Sequence, residues 1–324
     1  MLTAYSLSEM GPEPTIADET AGIPPSALWV DVLEPTRNEE IATEAYLGAD
    51  LPTREESEEI EFSSRFYVED AAVFMTASLL TGVDSGAPVI SPLTIAVGRD
   101  RLVTLRYEDF RALRQFVSLA GKPSSRCESV ESMFNLMIEA IVDRAADVIE
   151  QIGANVDHLN GEIFSRDRAG KRKRPLEAVI GDIGFQNDLA AKIRESLHSL
   201  ERLVRFAGVA LPSSFDKGTN RGRLKLAGRD IQSLEAHITF LSSKIAFLLD
   251  ATLGLISVEQ NEVIRLLTIV ATIFFPPTLI GTIYGMNFEN MPELHWQWSY
   301  PLSLGLMVAS ALVPYLYFKR KGWL

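Results

Sequence analysis

The 324 residues include a single cysteine, Cys127, so no disulfide can form within the chain. That fits a reducing compartment. Histidine is scarce as well, with four copies, and no His/Cys cluster has the spacing of a tight transition-metal site. No glycine-rich loop ending in Lys-Ser or Lys-Thr is present to cradle ATP phosphates. No nucleophile, base and orienting group recur as a catalytic set, so an enzyme is not expected. Basic charge is short: 31 Lys and Arg stand against 43 Asp and Glu, a net charge of −12. A nucleic-acid partner is therefore not expected, because phosphate binding wants a basic surface. The start, MLTAYSLSEMGPEP, has neither a basic region nor an apolar core of the signal-peptide kind, and no cleaved leader is expected.

Charge is also missing in two places near the end, and there its absence is informative. Leu266–Tyr284, LLTIVATIFFPPTLIGTIY, carries no charge over 19 residues, and neither does Tyr300–Phe318, YPLSLGLMVASALVPYLYF. A 19-residue helix is roughly 28 Å long, the thickness of a hydrocarbon core. Both segments are predicted to span a membrane (300–318 is the second), with buried core helices as the alternative. Lys319, Arg320 and Lys321 follow the second span, and the loop between the spans has no Lys or Arg. The positive-inside rule then puts the basic tail, 319–324, in the cytoplasm, and an even number of spans puts the large N-terminal part there too. Trp296, Trp298 and Tyr300 suit the outer interface.

The loop 285–299 between the spans opens with Gly285, Met286 and Asn287. Gly285 would end the helix with its carbonyls turned outward. Asn287 offers a carbonyl oxygen and an amide NH2. In a ring of identical chains such groups form a neutral polar collar. Mg2+ dehydrates reluctantly, and a neutral collar can hold it by its waters. Glu289 and Glu293 would raise the local cation concentration. The three residues alone read equally well as a plain helix end.

The first span carries a stripe at steps of three and four: Asn261, Ile264, Leu267, Ala271, Phe275, Thr278 and Thr282. As a pore face, Asn261 and Thr278 are hydrated rungs, while Ile264, Leu267 and Phe275 are constrictions that close by dewetting. As a packing face it needs no further role. Pro276 and Pro277 free the carbonyls of Thr272 and Ile273, which a membrane helix tolerates where neighbours or water satisfy them. Two spans cannot enclose a pore, so transport requires several chains around an axis.

Residues 1–125 read as a mixed α/β domain. Strands are predicted at 27–35 and 66–80, a short acidic helix at 53–64, and a hairpin at 93–107 turning at Gly98–Arg101. From Glu128 the period becomes helical, with Phe134, Ile138, Ile141, Ala145, Val148, Ile152, Val156, Leu159 and Ile163 on one face. The basic turn 166–174 reads as a solvated loop, or as a contact with anionic lipid or an acidic neighbour. Pro175 opens a second helix along Leu176, Val179, Ile183, Leu189, Ile193, Leu197 and Leu200, and Gly208–Gly222 reads as a loop. These helices make a region 126–228. A third pattern, Ile231, Leu234, Ile238, Leu241, Ile245 and Leu248, runs unbroken toward the membrane, so 229–284 is predicted to be one helix.

Tyr284–Gly285–Met286–Asn287 followed by Met291–Pro292–Glu293–Leu294, between two C-terminal spans, resembles the CorA family of magnesium transporters. The approach NEVIRLLTIVATIFFPPT and the tail YLYFKRKGWL resemble it too. The resemblance implies an α+β cytoplasmic domain, long helices and two C-terminal transmembrane helices in a funnel-shaped homopentamer of the inner membrane. It implies Mg2+ selection by Gly285, Met286 and Asn287, passage of Co2+ or Ni2+, and a pore face on the stripe above. It also implies regulatory Mg2+ held between subunits, for which Glu108 or Asp109 and Asp230 or Asp250 stand near the expected places. Mg2+ is then both cargo and regulator, and no organic cofactor is expected. Zn2+ transport within the same superfamily is one alternative, against which the intact MPEL segment speaks. A membrane-anchored sensor that moves nothing is another.

Overall fold

The computed structural model describes residues 1–8, 11–16, 22–59, 61–69, 72–120, 129–164, 174–211, 219–287 and 291–323. They fall into two compact units, Met1–Leu249 and Asp250–Leu324.

The first unit is built on a sheet of β1 (Leu2–Ser8), β2 (Gly11–Ile16), β3 (Ala27–Leu33), β4 (Phe66–Glu69), β5 (Ala72–Thr81), β6 (Val89–Val97) and β7 (Leu102–Arg106). Their order is β2-β1-β3-β7-β6-β5-β4. Neighbours are antiparallel except β3 and β7, which pair in parallel from Trp29↔Leu102 to Leu33↔Arg106. Strand β3 is buried on both faces, as a central strand must be. On one face Val30, Val32, Phe74, Val103 and Leu105 meet Tyr46 and Leu47 of α1 (Arg37–Leu47). On the other, Trp29 packs edge-on against Phe116 of α4 (Arg111–Ala120) and donates its indole N–H to Thr104 Oγ1 at 3.0 Å. Thr104 donates onward to Asp31 at 2.7 Å, and Arg106 grips the same carboxylate with Nε and Nη2. Every member of this buried chain is thereby paired, which is the condition for burying an ion pair without a large penalty.

The strands read at 27–35 and 66–80 are present, and so is the hairpin of β6 and β7, closed where Gly98 N–H donates to Arg101 O at 2.9 Å. The helix read over 53–64 is instead two short ones, α2 (Arg54–Glu58) and α3 (Phe62–Arg65). Thr53 and Glu56 start α2 with a capping box, Glu59 leaves it in an extended conformation, and the Arg65 guanidinium takes up the freed carbonyls of Glu58 and Glu59. A local side chain thus outcompetes helix continuation.

Helices α5 (Val130–Phe164), α6 (Leu176–Ala210) and α7 (Thr219–Tyr284) bury the apolar faces their periods define, and Leu234 alone of those positions is half-buried. Helix α6 lies on β5: Ser78 N–H donates to Ser199 Oγ at 2.8 Å, and Phe66 tilts against Phe206. So α5 and α6 belong to the same compact unit as the sheet. Along α5 and α7, Arg223 bonds Glu139, Lys244 bonds Asp157 and Phe247 stacks on Phe164. Rising numbers on both members mean that α5 and α7 run in parallel. His198 Nδ1 lies 2.8 Å from Glu235 Oε1 and Val204 lies beside Gly228, so α6 runs the opposite way to α7. The buried positions of α7 in this unit, Ala227, Ile231, Ile238, Leu241, Ile245 and Leu248, with Leu234, recur at alternating steps of four and three, the seam of a left-handed bundle.

Helix α7 begins at Thr219, ten residues before the boundary read at 229, and the loop read over 208–222 is correspondingly shorter. Ala227 extends the seam one step back from Ile231, and the Arg223–Glu139 pair anchors the turn before it. At about 1.5 Å per residue its 66 residues make a helix roughly 100 Å long.

Candidate functional site

In the second unit, α7 runs to Tyr284 and α8 spans Ser299–Arg320. Both are long and apolar enough to cross a membrane. Pro276 and Pro277 sit inside α7 without ending it. Each helix has one less exposed face. On α7 it holds Ile269, Ile273, Pro276, Pro277, Ile280, Gly281 and Tyr284, and on α8 Ser303, Met307, Ser310, Ala311, Pro314 and Phe318. They meet where a Cβ on Gly281 would come within 3.1 Å of the Met307 methyl. Close approach of two helices wants a small residue at the crossing, and Gly281 supplies it.

From Leu267 to Thr282 the stripe lies on the other side of α7, while around Asn261 and Ile264 every face of the helix is exposed. Asn261, Ile264, Leu267, Ala271, Phe275, Thr278 and Thr282 are all exposed in the single chain, Ile264 by 60%, Leu267 by 67% and Phe275 by 69%, against 5% for Ile269. Ile273 and Phe275, like Ile280 and Thr282, are two residues apart, about 200° around the helix. The face turned from α8 is therefore the one with polar rungs.

The threonine side chains on this face have a fixed polarity. Thr278 Oγ1 donates to Phe274 O at 2.7 Å, and Thr282 Oγ1 to Thr278 O at 2.8 Å. Each hydroxyl hydrogen is committed to the helix, so what each threonine offers outward is an oxygen lone pair. A hydrated cation presents water hydrogens at its surface, and acceptors are what those hydrogens need.

Gly285 follows the last helical residue. Its N–H donates to Gly281 O at 3.0 Å, and Met286 N–H to Ile283 O at 3.3 Å. Its backbone is not left-handed. The reason for glycine is steric: a Cβ here would stand 3.0 Å from the Gly281 carbonyl oxygen. Met286 and Asn287 are exposed just beyond. Glu289 lies outside the described residues. Glu293 belongs to a short 3-10 turn, Pro292–His295, that precedes Trp296, Trp298 and Tyr300, all exposed. At the far end of α8, Trp323 stacks on Phe318 and Lys321 lies over both Tyr317 and Trp323. This aromatic and cationic cluster is typical of a helix end at a membrane surface.

The four regulatory candidates do not come together within one chain. The Asp109 carboxylate is held by Arg114 and lies 3.6 Å from Arg106. Glu108 is exposed and gives its carbonyl to Arg106 at 2.9 Å. Asp230 and Asp250 are exposed on α7. Asp230 has acidic neighbours that periodicity did not single out: burial, Glu139, Asp147 and Asp230 together push the Asp143 carboxyl above its ordinary value. Among the described residues, no group of three or more His, Cys, Asp or Glu is close enough to hold a metal.

The model of the family described as CorA-like Mg2+ transporter protein matches residues 26–320. The chain is 33% identical over 302 residues to the magnesium transport protein CorA of Haemophilus influenzae, covering 92% of this chain and 93% of that one. It is 32% identical over 326 residues to the magnesium transport protein CorA of Yersinia pseudotuberculosis, covering all of both. The solved complete structure of the CorA magnesium transporter from Methanocaldococcus jannaschii shares its fold, with a TM-score of 0.77 at 18% identity, covering 100% of this chain and 99% of the other. By its sequence over nearly its whole length, and by an α/β domain, long helices and two apolar C-terminal helices in the same order, the chain belongs to the CorA-like Mg2+ transporter family.

Proposed function

We propose that the chain conducts Mg2+ across the inner membrane, down its electrochemical gradient, as a homopentamer in which five copies of α7 surround one axis. The observation that carries this reading is the exposed stripe of α7, where polar rungs and bulky apolar residues alternate and which, from Leu267 to Thr282, is turned from α8. Such a face suits neither lipid, which has no use for Asn261 or the threonine oxygens, nor water, which has none for Ile264, Leu267 and Phe275. A narrow lumen that is wet when open and dry when closed uses both. Gly285, Met286 and Asn287 select the ion at the outer mouth, with Asn287 accepting hydrogen bonds from its first-shell waters, and Glu289 and Glu293 concentrate cations outside. Thr278 and Thr282 continue the acceptor path inward. Ile264 and Leu267 are the constrictions. Co2+ and Ni2+, as divalent ions with hydration shells of similar size, compete for the same path. Both termini face the cytoplasm, in keeping with Lys319, Arg320 and Lys321 after α8.

Regulation by cytoplasmic Mg2+ fits the acid excess of the chain, and among the described residues of one copy no cluster holds a metal. Ligands would then come from neighbouring copies. Asp109, with Glu108, would face Asp230 or Asp250 of a neighbour, and Mg2+ between them would favour the closed ring.

Asn287→Ala tests the pathway. Reconstituted in liposomes, the variant should assemble as the unsubstituted protein does and lose most Mg2+ uptake. Near-normal uptake and selectivity against Co2+, Ni2+ and Zn2+ would overturn the reading. An unsubstituted protein that passes no divalent ion would leave a membrane-anchored sensor.

A further inference from the structure

The first compact unit contains a cavity of about 270 Å3 to which no residue of α7 contributes. It lies between the end of β5 with its turn Gly82–Ser85, the segment Glu108–Arg114 leading into α4, and one side each of α5 and α6. Its floor is apolar, with Leu79, Ile141, Val148, Ile193 and Leu197. One polar group breaks that floor. Ser196 is 4% exposed, lines the cavity, and its Oγ has no hydrogen-bond partner among the described residues. A buried hydroxyl without a partner is unusual, and it marks a place where a partner is missing.

The rim is charged but self-neutralised. Asp84 receives Arg111 at 2.8 Å and Arg144 at 3.1 Å, and Asp109 holds Arg114. Burial alone would raise the Asp84 carboxyl, yet the hydrogen bond from Arg111 and the charge of Arg144 outweigh it and hold it below the usual value. Counting Glu108, three arginines stand beside three acids, so within a single chain the rim presents no net charge to a molecule in the cavity. An apolar cavity of about 150 Å3 accepts benzene, so this one has room for a fused bicyclic ring system.

We propose that this cavity is a binding site for an uncharged, mostly apolar small molecule of about bicyclic size that carries one hydrogen-bonding group, which Ser196 receives. The pairs Asp84–Arg111 and Asp84–Arg144 close the mouth over it, tying the β5–β6 turn to α4 and α5. The site joins four elements of the cytoplasmic unit, so its occupant would stiffen their packing.

The test uses the full chain in detergent, with 2-naphthol as the probe and its fluorescence as the signal. One saturable site per chain is expected above the linear uptake by micelles. Ala145 lines the cavity and is 7% exposed, so Ala145→Phe fills it and should abolish the saturable part. Ala145→Leu, a smaller intrusion, should weaken binding at least fivefold and covers the case in which the phenylalanine variant fails to fold. Ser196→Ala should weaken binding about fivefold while raising the melting temperature of the ligand-free protein, because it deletes an unsatisfied hydroxyl. Linear uptake alone, saturable binding that survives in both Ala145 variants, or unchanged affinity in Ser196→Ala would each overturn the proposal.

Discussion

Thr278→Val is the sharpest test of the acceptor face on α7. Valine keeps the shape of threonine and removes the oxygen. In the structure that oxygen is exposed and donates its only hydrogen to Phe274 O at 2.7 Å, so what the pathway loses is an outward lone pair. A hydrogen bond contributes about 0.5–1.5 kcal/mol net. If two copies of Thr278 touch the ion's waters at once, the cost at that rung is about 1–3 kcal/mol, and about 1.4 kcal/mol is tenfold in rate. Uptake should therefore fall roughly five- to hundredfold. Thr278→Ser keeps the oxygen and the helix bond, and should stay within about twofold of the unsubstituted rate. Initial rates of Mg2+ entry into liposomes carrying a Mg2+-sensitive dye measure all three proteins at matched insertion. The reasoning fails if valine transports within twofold of threonine. It fails equally if serine is as poor as valine, because then shape and not the acceptor matters.

Asn substitutions at Asp109, Asp230 and Asp250, singly and together, should shift inhibition of flux to higher cytoplasmic Mg2+ and weaken Mg2+-dependent protection from protease; unmoved curves in all of them would remove these residues as ligands. Asp31→Ala strands the buried Arg106 guanidinium, a loss of about 3–5 kcal/mol by the usual cost of breaking a buried pair. The melting temperature of the first compact unit should drop by roughly 10 °C, and a drop under about 2 °C would mean the pair is solvated in practice. The raised Asp143 carboxyl means that its charged form is penalised in the folded state, a penalty fully present above the folded value and gone below the ordinary aspartate range. Asp143→Asn should therefore raise the melting temperature at neutral pH, and the gain should shrink on acidification; a gain that grows as pH falls would contradict the sign.

The sequence by itself determined what depends on a chain's own period and solubility. Nineteen uncharged residues in a row can rest in a hydrocarbon core without a partner to excuse them, so both C-terminal helices were legible. The buried faces of α5, α6 and α7 were legible because a helix sorts its residues every three or four positions, whatever it packs against. Helices α1 and α4, and strands β1 and β2, were not anticipated: they are short, and their packing against a sheet formed from distant segments stabilises them more than their own pattern does. The parallel pairing of β3 with β7 joins Trp29 to Leu102 across much of the domain, and no local pattern encodes it. Nor does a period say which of two opposite faces stays open. The contact of Gly281 with Met307 covers one side of α7 and leaves Phe275, Thr278 and Thr282 on the other. The partners of charges were likewise decided in three dimensions. Asp109 looks free along the chain but is claimed by Arg106 and Arg114, and Ser196 looks like a surface helix residue until four segments close around it, because attraction and burial act between neighbours in space and the chain's order does not name them.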